Sequence, residues 1–178
     1  MTWTDLAAGQ TWTAAKANES ASYATVVSAT KASDTARFST TTCTADPELS
    51  IVLLANRTYE FDARLLVSSE INAAGHFRLR LSWTNTATVT WRCAGLINTL
   101  ASGVSADWNG QGVANDSTSP TSETSFGAST ASTAPRVYGE IVTGGSNVTL
   151  TVDWAQFSSN VNDTTLLIGS RLSARRIA

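Results

Sequence analysis

Residues 59–67, YEFDARLLV, decide the fold. Tyr59, Phe61, Ala63, Leu65 and Val67 fall on one side of an extended chain, and Glu60, Asp62 and Arg64 fall on the other. Side chains alternate across a strand with period two, so this stretch buries one face and wets the other. HFRLRLSW, residues 76–83, repeats the pattern, with Phe77, Leu79, Leu81 and Trp83 opposed to His76, Arg78 and Arg80. Half-buried alternation of this kind belongs to antiparallel sheets. If the two strands are neighbours, Glu60 and Asp62 face Arg78 and Arg80 across the pair.

Working outward, further strands are predicted at about 36–41, 49–54, 88–96, 136–143, 147–157 and 164–177. TGGS, residues 143–146, is expected to be a hairpin turn, because glycine supplies positive φ at little cost. About eight short strands without intervening helices specify an all-β domain, an antiparallel β-sandwich or jelly roll. The N-terminal side differs. Residues 13–27 hold the only run of strong helix formers, and a short helix is predicted there. Ahead of it, Trp3, Leu6 and Trp12 sit on a segment too short to have its own core, which makes them attachment candidates. The expected organisation is an N-terminal anchor over 1–30 and a sandwich over 31–178. Residues 98–136 form a long polar connection inside the sandwich, expected to be held by a neighbouring subunit.

The formal charge is −2 and only 15% of residues are charged, so Ser, Thr, Asn and Ala supply much of the surface. No basic run offers the phosphate-neutralising footprint that nucleic acid requires. The N-terminal segment lacks the basic and apolar regions of a secretory signal, and no apolar stretch approaches the roughly 20 residues that span a bilayer. A chain made in the cytoplasm, with no membrane partner, is the expectation. Cys43 and Cys93 are then expected as two small buried thiols, although one disulfide is compatible with the count. The five sequons at Asn18, Asn56, Asn115, Asn147 and Asn162 follow from a composition rich in Asn, Ser and Thr.

Candidate chemistry is sparse. His76 is the single histidine, and no G-x-S-x-G elbow accompanies it, so a Ser-His-Asp relay has no support. DWNGQG, residues 107–112, has the start of a calcium loop, but its twelfth position is Thr118 instead of Glu. Glu60 and Asp62 share a face as glycosidase acids would, yet Arg64 lies beside them and ion pairing accounts for them better. The expectation is a protein that is not an enzyme, with no catalytic, cofactor-binding or metal-binding residues. The six tryptophans suggest binding instead, since an indole can stack on a sugar or anchor an interface. In LTVDWAQF, residues 150–157, Trp154 shares the core face with Val148, Leu150 and Val152, and Asp153 points the other way. Trp108, Asn109, Phe126, Asp153 and Gln156 are the interface or receptor candidates.

Two segments also carry a resemblance. VTLTVDWAQFSSNVNDTTLLIGSRLSARRI, residues 148–177, resembles the closing strands of small virion proteins of tailed phages, especially those of actinobacteria. The matching positions are Trp154, Ala155, Gln156, Gly169, Ser170, Leu172, Arg175 and Arg176. The leader TWTDLAAGQTWTAAKANE is similar to the G-x-x-x-T-A-x-x-x-N opening of phage head and tail appendages, through Gly9, Thr13, Ala14 and Asn18. Together the two cover a little over a quarter of the chain. The resemblance implies a tumour-necrosis-factor-like β-sandwich, displayed on the virion as a homotrimer: a head decoration or head fibre, or a minor tail protein. It implies major capsid or tail proteins as partners; the alternative, a carbohydrate- or receptor-binding module of the virion using Trp108 and the 98–136 loop, adds a host surface glycan.

Overall fold

The computed structural model describes residues 25–69, 77–94, 115–117, 123–126 and 133–178. Among them are thirteen strands and no helix. In chain order these are β1 (Val26–Thr30), β2 (Thr35–Arg37), β3 (Thr44–Leu53), β4 (Thr58–Arg64), β5 (Val67–Ser69), β6 (Phe77–Trp83) and β7 (Ala87–Ala94). There follow β8 (Asn115–Ser117), β9 (Glu123–Phe126), β10 (Arg136–Thr143), β11 (Val148–Gln156), β12 (Thr164–Leu166) and β13 (Arg171–Arg176). They form a six-stranded sheet in the order β1-β13-β4-β10-β7-β8, a four-stranded sheet β3-β11-β6-β9 and a small sheet β2-β12-β5. Every pairing is antiparallel.

Alternation explains the core. Tyr59, Phe61 and Ala63 on β4 and Val89, Trp91 and Cys93 on β7 point inward from the six-stranded sheet. Leu79 and Leu81 on β6 and Leu150, Val152 and Trp154 on β11 point inward from the four-stranded sheet. All join one hydrophobic cluster, an arrangement consistent with a β-sandwich. Trp83, expected on the same face, is only half-buried at the end of β6.

The connections depart from expectation. Residues 143–146 turn the chain, but β10 and β11 belong to different sheets, so this turn is an arch across the sandwich and not a hairpin. The arches after β3 and β6 likewise change sheet. Positive φ falls on Asn56 and Asn85 in those two arches, at 54° and 61°, and on neither Gly144 nor Gly145. The three arches bind one another: Asn56 N–H donates to Gly144 O at 2.8 Å, Gly144 N–H to Thr86 O at 2.9 Å, and Asn85 Nδ2 to Asn147 O at 2.7 Å.

Other boundaries shift too. β1 begins at Val26, so the end of the predicted helix and of the 1–30 anchor is strand, paired with β13 from Val26↔Arg175 to Thr30↔Arg171. The rest of that helix lies outside the described residues. The predicted strand 164–177 is two strands, β12 and β13, separated by a turn in which Gly169 takes φ 86°. The 98–136 connection is not wholly irregular. It holds β8 and β9, and Thr133 exchanges main-chain hydrogen bonds with Val67 at 2.7 and 2.8 Å.

Candidate functional site

On β11, the strand with the sharpest functional candidates, Asp153 and Gln156 are both buried and bonded within the chain. Asp153 Oδ2 accepts from Arg80 Nε at 3.1 Å and from the Arg80 Nη2 at 2.5 Å, while Oδ1 accepts from Ser82 Oγ at 2.8 Å. The Asp153 side chain is 5% exposed. Gln156 is fully buried: its Nε2 donates to Asn162 O at 2.7 Å and its Oε1 accepts from Asn160 N–H at 3.2 Å, which pins the turn after β11. These internal bonds withdraw both interface candidates from the outer surface of the protomer. The arginines expected opposite Glu60 and Asp62 are also elsewhere. β4 lies between β13 and β10, and β6 lies between β11 and β9, so Arg80 meets Asp153, and Arg78 Nη1 donates to Thr41 O at 3.2 Å.

A second cluster, which strand periodicity did not signal, surrounds Trp154. Residues 46–49 of β3 bulge opposite Val152, because the register moves from Thr151↔Ser50 to Asp153↔Ala45. Pro47 has no N–H to give a ladder and suits a bulge. Within it, Asp46 Oδ1 accepts the main-chain N–H of Glu48 and Leu49 at 3.0 and 3.2 Å. Asp46 Oδ2 accepts Trp154 Nε1–H at 3.2 Å. Lys31 Nζ lies 3.1 and 3.0 Å from the two carboxylate oxygens, 2.9 Å from Thr35 Oγ1 and 3.8 Å from Glu48 Oε1. Arg37 stacks over the Trp154 ring, 4.2 Å from its centroid, and donates to Trp154 O, Thr44 O and Ala45 O. Burial pulls its guanidinium below its ordinary pKa, while Asp46 and then Cys43 and Asp153 pull it back.

The outer surface carries a different feature. The exposed face of the six-stranded sheet forms a groove of about 610 Å³ whose walls include Glu60, Asp62, Arg92, Arg136, Tyr138 and Arg175. Asp62 joins Arg136 at 2.7 Å and Arg64 at 3.0 Å, and Glu60 joins Arg175 at 2.8 Å. The hydrogen bond to Asp62 raises the Arg136 pKa above its ordinary value. Arg136 also stands 5.3 Å from the Tyr138 ring, which is 39% exposed. The floor at Gly139 is bare backbone; a Cβ there would fall 2.1 Å from Thr90 O. A volume in this range accepts a small ligand, and the mixed charges favour a polar one.

Trp3, Leu6, Trp12, His76, Trp108 and Asn109 lie outside the described residues, and of Phe126 only its place on β9, opposite Phe77, is described. Cys43 and Cys93 are both buried and unbridged. Among the described residues, no three His, Cys, Asp or Glu side chains gather as a metal site, and no helix is long and apolar enough to cross a membrane. Comparison with known protein families and with curated proteins finds no match to the chain.

Proposed function

We propose that the chain is a jelly-roll knob of a tailed-phage virion, a homotrimer carried on the particle as a head decoration or fibre or as a minor tail component. The observation that carries this reading is the strand order. With β7 and β8 set aside as an addition beyond β10, eight strands remain in the two large sheets: β1, β3, β4, β6, β9, β10, β11 and β13. The first pairs with the last, the second with the seventh, the third with the sixth and the fourth with the fifth. Successive members alternate between the sheets except β6 and β9, which pair with each other in the four-stranded one. That is the winding of one long antiparallel ribbon rolled on itself, and double-sheet jelly rolls serve in viral capsids and in lectins.

Fold alone does not name a function. The phage context comes from the resemblance of the Trp154-Ala155-Gln156 and Gly169-Ser170 positions to virion proteins. Those positions have definite work in this domain: Ser170 Oγ donates to Leu167 O at 2.8 Å and accepts Leu66 N–H at 2.9 Å. Phe38 and Val161, 63% and 82% exposed, stand at one end of the molecule, where Ser39 N–H donates to Asn160 O. Such apolar exposure suits contact with another chain. A cyclic trimer joins two different patches of each protomer. Light scattering of the full chain at micromolar concentration is expected to return three times 18.7 kDa. A stable monomer would overturn the trimer.

The groove supports a second reading, a carbohydrate- or receptor-binding module of the virion. Exposed Tyr138 among paired charges can lie against a sugar face while donors and acceptors meet its hydroxyls. Binding of purified chain to host-wall glycan that disappears in Tyr138→Ala would favour this reading.

A further inference from the structure

Lys31 and Asp46 are an expensive pair to hold. Both side chains are fully buried, and removing such ions from water costs several kcal/mol each unless the surroundings compensate. The surroundings do more than compensate. Nζ sits 3.1 and 3.0 Å from the two carboxylate oxygens, which from the shape of a carboxyl group places it within about 3.5 Å of Cγ, the range of a near-attack geometry. Two main-chain N–H groups, of Glu48 and Leu49, converge on Oδ1, as donors do where negative charge develops in acyl transfer. Trp154 Nε1–H addresses the other oxygen. A second carboxylate, Glu48, stands 3.8 Å from Nζ and is held there by hydrogen bonds from the Ser33 hydroxyl and the Ala32 main-chain N–H, which places an ionised oxygen beside the ammonium.

We propose that Lys31 and Asp46 condense to an intramolecular amide, a covalent cross-link between Lys31 Nζ and Asp46 Cγ formed by the folded chain itself. Glu48 takes one proton from the Lys31 ammonium. The freed lone pair attacks Cγ and the C–N bond forms, with charge collecting on Oδ1 between the two N–H groups. The proton held by Glu48 and a second proton from Nζ pass to Oδ2. The C–Oδ2 bond then breaks and water leaves. An ammonium and a carboxylate become a neutral amide and one water, Glu48 ends as the carboxylate it was, and no oxidant, reductant or cofactor takes part. The reaction removes two buried charges, and both reacting side chains are shielded from the water that would reverse it.

The cross-link does not depend on the virion reading. Lys31 directly follows β1, which among the described residues is an edge strand paired with β13, and Asp46 lies on β3 in the facing sheet. The amide would therefore tie the two sheets together where the N-terminal segment enters, and a pull on that segment would load a covalent bond in place of a short ladder.

Intact mass spectrometry of the denatured full chain tests this. The wild-type chain is expected to be lighter than its sequence by one water. Its tryptic digest should join the peptides holding Lys31 and Asp46, with no cleavage after Lys31. Lys31→Arg should restore the full mass. Glu48→Gln should keep the native circular dichroism spectrum yet lose or greatly slow the cross-link, and a Glu48→Gln chain that cross-links as completely and as fast as wild type would overturn the role given to Glu48. A folded wild-type chain at full sequence mass, or a missing water located elsewhere in the digest, overturns the proposal. The wild-type measurement decides the matter even if a variant fails to fold.

Discussion

The Arg80–Asp153 pair links β6 to β11 across the middle of the four-stranded sheet, and a double-mutant cycle should expose it. Asp153→Ala deletes the acceptor of three hydrogen bonds, two from Arg80 and one from Ser82. Breaking a buried pair costs about 3–5 kcal/mol because one charge is left without its partner. Arg80 is 27% exposed and retains Cys43 O at 3.2 Å, so water and that carbonyl recover part of the loss and about 3 kcal/mol is expected. Arg80→Ala strands the less exposed member, with Ser82 still bonded to it, and should cost about 3–4 kcal/mol. The double variant leaves neither charge orphaned. It should cost about as much as either single change, giving a coupling of about 3 kcal/mol. For a chain of this length that separates the double variant from the additive expectation by about 6–12 °C in Tm. Thermal and urea unfolding at one fixed protomer concentration would measure it, since any assembly adds a concentration term. Additive single effects would refute the reasoning, because they would mean that the two side chains do not depend on each other.

Two further outcomes follow from single groups. Among the described residues the buried Thr164 hydroxyl meets no hydrogen-bond partner, so Thr164→Val, which keeps the shape and removes the orphan, should leave stability unchanged or raise it by up to about 1 kcal/mol in urea unfolding; a loss beyond about 1 kcal/mol would show that the hydroxyl is satisfied. Glu48 has a folded pKa below its ordinary 4.5, first through its bond from Ser33 and then through that from Ala32, so its contribution to stability is present above pH 4.5 and is lost as pH falls through the lower folded value. The Ala32 amide proton should therefore titrate in NMR with a midpoint below 4.5, and a midpoint at or above that value would contradict the contact.

The parts of the fold legible in the sequence are those where one sheet face is dry and the other wet. Tyr59 to Ala63 and Phe77 to Leu81 fall on the expected faces because nothing interrupts the pleat there; Leu65 and Val67 are buried as expected, but β4 ends at Arg64 and Val67 opens β5 in another sheet, so residues 59–67 are not one strand. β3 was only half visible: the bulge around Asp46-Pro47-Glu48 buries a carboxylate where alternation had no apolar residue to mark it. Strand partners were not legible at all. Glu60 and Asp62 could be matched to any basic face, and the winding gives them Arg175 and Arg136, far along the chain, in place of Arg78 and Arg80. Turn chemistry misled in the same way, since glycines at 144 and 145 mark a reversal without saying whether the flanking strands share a sheet. Of the candidate site, Asp153 and Gln156 were found as unusual residues, but their partners, Arg80 and the 160–162 turn, are set by tertiary contacts. Nothing in the residues around it singles out Lys31. The one local hint was an Asp before a Pro inside a strand, which points to a bulge and to a side chain capping the amides that follow.

The strand order has a consequence for how the chain is born. β13 lies between β1 and β4, and β11 lies between β3 and β6, so the strands made first have their places held open for the strands made last. During synthesis neither large sheet can close until the C-terminal segment is released. The nascent domain must spend its elongation time with unpaired edges and an uncovered apolar face, the state from which chains aggregate. Pairings this distant in sequence also make the final step slow, because loop closure comes before the contacts that reward it. The abundant Ser and Thr of the chain then act during biosynthesis as well as in the finished fold, by keeping the waiting strands hydrated until the last one arrives.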